Sequence, residues 1–192
     1  MNVTIKVLGL EGAEKQLRAQ AKKVDPVLRG ALNTTATKTR AERFVKPLAQ
    51  TIAAKRVRGA LKVKRARRGR MDARIIPSSS SVLVAYYRSW GFDAIDATRA
   101  RIWVRGPTGK KIAAGFVNPS SSKKLPLSTR SSKTTARGKT YNYRQALQLA
   151  RGPSTAFFFK QLAGAQTIKW TNDFLQEEFA KRMQKELNKG PR

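Results

Sequence analysis

The chain of 192 residues has no cysteine and no histidine, and only 11 Asp or Glu against 41 Lys or Arg. Without cysteine there is neither a disulfide nor a thiolate metal site. Without histidine the commonest general base and the commonest metal ligand are both missing. No apolar run approaches the ~18 residues needed to span a bilayer, and no basic segment followed by an apolar signal stretch opens the chain. These absences predict a protein that is soluble and intracellular when made, with no membrane partner, no metal and no cofactor. What is present is charge: a formal net +30, which repels itself unless a polyanion answers it. Nucleic acid is the expected partner.

The few acids fall at particular places. From Arg43 through Met71 there are eleven basic residues and no acid, and between Ala97 and Asn172 fifteen basic residues and again no acid. Glu11, Glu14, Asp25, Asp173, Glu177 and Glu178 stand near expected helix starts, where a negative charge complements the macrodipole. Asp93 and Asp96, three apart beside Trp90 and Phe92, are the one pair to weigh for carboxylate chemistry. They lack the further clustered carboxylates of a metal-dependent nuclease, and turn or cap carboxylates are the plainer reading. The chain reads as non-enzymatic.

Hydrophobic residues make up 40% of the chain, enough for one core, so residues 1–192 read as a single α+β domain. Val3, Ile5 and Val7 alternate with polar residues, predicting a half-buried strand over Asn2–Leu8. Leu17, Ala21 and Val24 predict a helix over Glu11–Val24, and Asp25-Pro26 an N-cap and first turn of a second helix running to about Val45. The small polar middle of that helix, Asn33 to Thr39, permits close approach by another element, either the chain's own sheet or a neighbouring subunit. Pro47 is expected to kink or end it.

A basic arm is expected over about 50–71. Its nine cations between positions 55 and 70 are Lys55, Arg56, Arg58, Lys62, Lys64, Arg65, Arg67, Arg68 and Arg70. Such a run neutralises phosphates and releases their counterions, giving salt-sensitive, sequence-tolerant affinity. A merely solvated basic face normally includes compensating acids, and this stretch has none.

Strands are expected at Ala73–Ile76, Val82–Tyr87 and Arg99–Arg105, the last returning through the Gly106-Pro107-Thr108-Gly109 turn as Lys111–Val117. In the third strand Arg101, Trp103 and Arg105 share one face. This is a second candidate surface, similar to the stacking-plus-charge platforms that hold single strands, with a cation–π-stabilised solvent face or an intersubunit contact as alternatives.

Residues 118–142 hold six Ser, four Thr and six Lys or Arg with few large apolar groups, predicting a mobile loop. Gln145–Leu149 reads as a short helix and Gly152-Pro153 as a break. Phe157, Phe158 and Phe159 belong in the core or at a subunit interface. A final amphipathic helix is expected, capped by Thr171, with a Trp170/Leu175 staple and a Leu175, Phe179, Met183, Leu187 stripe laid across the sheet.

The order of these elements resembles the minor tail protein Z family, the tail-completion proteins of lambda-like long-tailed bacteriophages. The similarity is carried by Leu8-Gly9-Leu10-Glu11, Ala31-Leu32-Asn33, the arm centred on Leu61-Lys62-Val63-Lys64-Arg65-Ala66, Ala73-Arg74-Ile75, Ala114 to Val117 and the closing helix. It covers essentially the whole chain, though the Ser/Thr loop and the Phe157–Phe159 run have no place in the family pattern.

The resemblance implies a virion protein at the neck, the head-proximal end of the tail, made in the host cytoplasm. It implies a homo-oligomeric ring, hexameric by family analogy, beside tail terminator, tail tube and head connector proteins and around packaged double-stranded DNA. Its role would be head–tail joining and placing the DNA end in the tail lumen. The alternatives are a free, non-sequence-specific nucleic-acid-binding protein, ribosome- or nucleoid-associated, and a basic surface docked on acidic proteins. No helix-turn-helix or RNA-platform signature supports a sequence-specific reader.

Overall fold

A computed structural model describes residues 10–97, 100–130 and 144–189. The expected strand at Asn2–Leu8 lies outside the described residues, as does the 131–142 part of the expected loop.

One helix, α1 (Leu10–Thr39), replaces the two expected, with Pro26 inside it. An interior proline forfeits one hydrogen bond and crowds the preceding turn. Here the helix is held beyond that point by tertiary packing, for Val27, Ala31, Thr35, Ala36 and Thr39 are all buried. The chain continues through a π-helical turn (Arg40–Val45), in which the Lys46 N–H reaches the Ala41 carbonyl, into the short α2 (Lys46–Leu48). The wide turn stands where the Pro47 ring would otherwise press on the carbonyl four residues back, and the helix ends just after it.

The expected arm is folded. It forms α3 (Ala54–Ala60) and β1 (Leu61–Lys64), which pairs antiparallel with β2 (Arg74–Pro77) in a two-stranded sheet. A seven-stranded antiparallel sheet follows: β3 (Ser81–Leu83), β4 (Trp90–Ala94), β5 (Ala100–Gly106), β6 (Gly109–Phe116), β7 (Leu127–Arg130), β8 (Arg144–Leu149) and β9 (Arg151–Ser154). Its path is β3-β9-β6-β5-β4, with β7 joining β6 to β8. The β5–β6 hairpin closes on Gly106 and Gly109 as the turn signal predicts, and Gly109 takes a φ of 99°, which suits glycine.

Three local expectations are corrected. Gln145–Leu149 lies in strand, not helix, because Leu147, Gln148 and Leu149 pair with Thr129, Ser128 and Leu127; ladder pairing overrides the propensity of so short a segment. Gly152-Pro153 lies within β9. Val82 pairs with Gly152 and Ser81 with Ser154, so Pro153 falls at the irregularity, where a missing N–H costs the ladder nothing. The loop expected from residue 118 contains β7.

The core joins Phe44, Leu48 and Ile52 to Val57, Leu61, Val84, Ile102, Val104 and Phe158. Phe158 sits on α4 (Thr155–Leu162), whose N-cap Ser154 accepts the Phe157 N–H at 3.2 Å. α5 (Ala165–Leu187) starts at Gly164 rather than Thr171. Thr171 is interior, its hydroxyl on the Thr167 carbonyl at 2.7 Å, and Trp170 stacks on Phe174 at 5.4 Å instead of stapling Leu175. α5 packs along α1, not across the sheet. The small polar run of α1 makes that approach possible: Arg182 of α5 lies over Gly30 and donates to the Thr34 hydroxyl at 2.9 Å.

Candidate nucleic-acid interface

All nine cations singled out between Lys55 and Arg70 are exposed. The cause is local periodicity. On α3, Val57 is buried while Lys55, Arg56 and Arg58 face outward; on β1, Leu61 is buried and Val63 half-buried while Lys62 and Lys64 project from the other face. Across the ladder Lys64 stands opposite Arg74 and Lys62 opposite Ile76. The outer face of the two-stranded ribbon thus carries Lys62, Lys64 and Arg74 beside the exposed Ile76.

Beyond Lys64 the chain makes a tight turn. The N–H of Arg67 meets the carbonyl of Arg70 at 3.0 Å, the reverse bond is 2.9 Å, and Gly69 adopts a φ of 74°. Arg65, Arg67, Arg68 and Arg70 radiate from it. Lys64, Arg65, Arg67, Arg70 and Arg74 line a cleft of about 260 Å³ that contains one acid, Asp72. Asp72 accepts from Arg70 Nε at 2.8 Å and pairs with Arg74. The Arg70 hydrogen bond, aided by the charges of Arg70 and Arg74, holds its carboxyl below the usual value against a desolvation effect in the other direction.

Two side chains of the long helical segment fix this unit to the body. Asn33 donates to the Ala66 carbonyl at 3.0 Å and accepts the Ala66 N–H at 2.7 Å, gripping the backbone as a neighbouring strand would. Arg40, on the π-helical turn, donates to the Leu61 carbonyl at 2.7 Å and the Arg58 carbonyl at 2.6 Å, satisfying acceptors where α3 ends. Neither role shows in periodicity, because both are contacts between side chains and distant backbone.

The second set, Arg101, Trp103 and Arg105, does share the outer face of β5, but Trp103 is engaged within the fold. Lys110 Nζ lies 4.3 Å from its ring centroid, its Nε1–H donates to Asp93 at 3.2 Å, and the ring packs against Gly91. The spacing of Asp93 from Asp96 is thus secondary to the register that sets Gly91 opposite Trp103 and Asp93 opposite Arg101. Among the described residues no group of three Asp, Glu, His or Cys comes together. No described helix is long and apolar enough to cross a membrane.

The three consecutive phenylalanines divide. Phe158 is fully buried within the protomer, so it is core and not an interface residue; Phe159 stacks on Phe44 with centroids 4.1 Å apart; Phe157 stays 42% exposed. Sequence reasoning misses Arg74 and Arg151. Arg74 lies on the strand expected over Ala73–Ile76, just outside the bounds of the expected arm, whereas Arg151 sits beside a glycine and proline that read as a break.

No family model matches the chain, and neither a curated protein nor a solved structure does.

Proposed function

We propose that the protein is a non-enzymatic structural component of a long-tailed phage virion. It completes the tail at the head-proximal end, as a ring through which packaged double-stranded DNA passes, and serves head–tail joining and the positioning of the DNA end. The observation that supports this reading is the anchored helix–hairpin unit, nine exposed cations presented on ordered backbone. A two-stranded ribbon fits the dimensions of a duplex groove, and phosphate contacts fix position without reading sequence. Copies in a ring would each add such a ribbon to the wall of the passage. The DNA is gripped, not recognised.

The test is the variant Lys62→Glu/Lys64→Glu/Arg65→Glu/Arg67→Glu. All four side chains are exposed, so the folded circular-dichroism spectrum should persist. Tails carrying the variant should fail to give infectious particles. Normal infectivity would refute the role of the hairpin. Tight monomeric binding of the wild-type chain to bare duplex, with no place in the virion, would favour a free nucleic-acid binder instead.

A further inference from the structure

A second basic site lies at the base of the hairpin, built from segments far apart in the sequence. An open groove of about 690 Å³ runs between α3, the β2–β3 connection and β9. Lys55 and Arg56 line one side and Arg151 another, with the hydroxyl-bearing Ser80, Ser81 and Tyr86 among the remaining lining residues and no carboxylate.

Its two guanidinium groups are held by neutral partners. Arg56 lies over the Tyr86 ring at 4.3 Å and donates to its hydroxyl at 2.8 Å; Arg151 donates to the Ser81 carbonyl at 3.3 Å. Both are therefore oriented without being neutralised, which lowers the ordering cost of meeting an anion. The groove is continuous with the hairpin: α3 runs directly into β1, and the Ala60 carbonyl at that junction accepts the Ser78 N–H at 2.7 Å.

We propose that this groove is a phosphodiester-binding site, which takes backbone phosphates of the same DNA that lies along the β1–β2 ribbon. The inference rests on the DNA-contact reading of the hairpin and extends it to Arg151. Two guanidinium groups and an ammonium supply charge-assisted donors, and the serine hydroxyls add neutral ones. The chemistry suits a phosphate and discriminates no base.

The test measures binding of the full chain to a 20-base-pair duplex of arbitrary sequence, by fluorescence anisotropy over a series of low to moderate salt concentrations. Arg151→Gln, the groove cation that lies outside the nine of the helix–hairpin unit, should flatten the plot of log affinity against log salt by about 0.9, the loss of one neutralised phosphate. Lys62→Gln/Lys64→Gln is the reference. If the reference flattens the slope and the groove variant leaves it unchanged, the groove site is overturned and the hairpin reading survives. If the groove variant alone has an effect, the groove binds phosphate without DNA along the ribbon, and the hairpin reading falls together with the continuous site proposed here. No change in either variant overturns both.

Discussion

On the β1–β2 hairpin, Lys62, Lys64 and the turn arginines stand on the outer face of a ribbon whose cleft contains one carboxylate, Asp72. On the outer face of β5 and β6, where Arg101 and Arg105 are also exposed, one cation is tied into the fold: Lys110 covers Trp103, whose indole N–H is taken by Asp93. The difference teaches that cation density does not by itself mark a binding surface. What matters is whether other groups hold the backbone so that the cations need not. At the hairpin Asn33 and Arg40 carry that duty, through main-chain atoms of Ala66, Leu61 and Arg58. At the sheet, a cation and an aromatic are themselves the packing.

The largest way to break this contrast is to release the hairpin. Asn33→Ala removes both hydrogen bonds to Ala66, a buried residue, and should cost about 2 kcal/mol, since backbone groups are left unsatisfied. Amide hydrogen exchange should rise over β1 and β2 while β5 and β6 keep their protection. A uniform rise across both sheets would show that the hairpin and the large sheet open as one unit.

Much of the fold is legible where periodicity and turn chemistry act alone. The β5–β6 hairpin follows from alternating Ile102 and Val104 and the Gly-Pro-Thr-Gly turn, while residues 54–64, expected only as part of a basic arm, fold as α3 and β1. The errors share one physical origin, which is that tertiary contacts override a local signal. Pro26 looks like a helix start because proline suits a first turn, yet the buried face beyond it carries the helix through. Thr171 looks like a cap, yet its hydroxyl serves the interior of α5 against Thr39 of α1. The groove with Arg151 cannot be read from the sequence at all, since it exists only once β9 lies beside β3.

A smaller perturbation addresses the sheet alone. At Gly91 an added Cβ would come within 2.4 Å of the Trp103 ring. Gly91→Ala should therefore swing the half-exposed indole outward, breaking its contacts with Asp93 and Lys110 at a cost of about 1 kcal/mol. Tryptophan fluorescence should shift to longer wavelength, and duplex affinity should stay within error of the wild type. A loss of affinity comparable to that of Lys62→Gln/Lys64→Gln would move the sheet face into the DNA-contact surface and erase the contrast between the two regions.

The smallest effect sharpens the electrostatics of the hairpin itself. Because hydrogen bonding to Arg70 and the neighbouring guanidinium charges lower the Asp72 pKa, its support of the turn is complete above the ordinary aspartate value of 3.8. That support fades only as pH falls through the lowered native value. In an NMR titration of the Asp72 carboxyl, Arg70→Gln should move the midpoint upward toward the ordinary value. An unmoved midpoint would mean that Arg70 does not set the charge state. At neutral pH, Asp72→Asn removes the one acid from a cleft of five cations and frees Arg70 and Arg74 from their pairing. Duplex affinity should then rise about two- to threefold at low salt, with the gain shrinking as added salt screens it. A fall in affinity would show that Asp72 acts chiefly by holding the arginines in the geometry that meets phosphate, so that order at the turn outweighs charge.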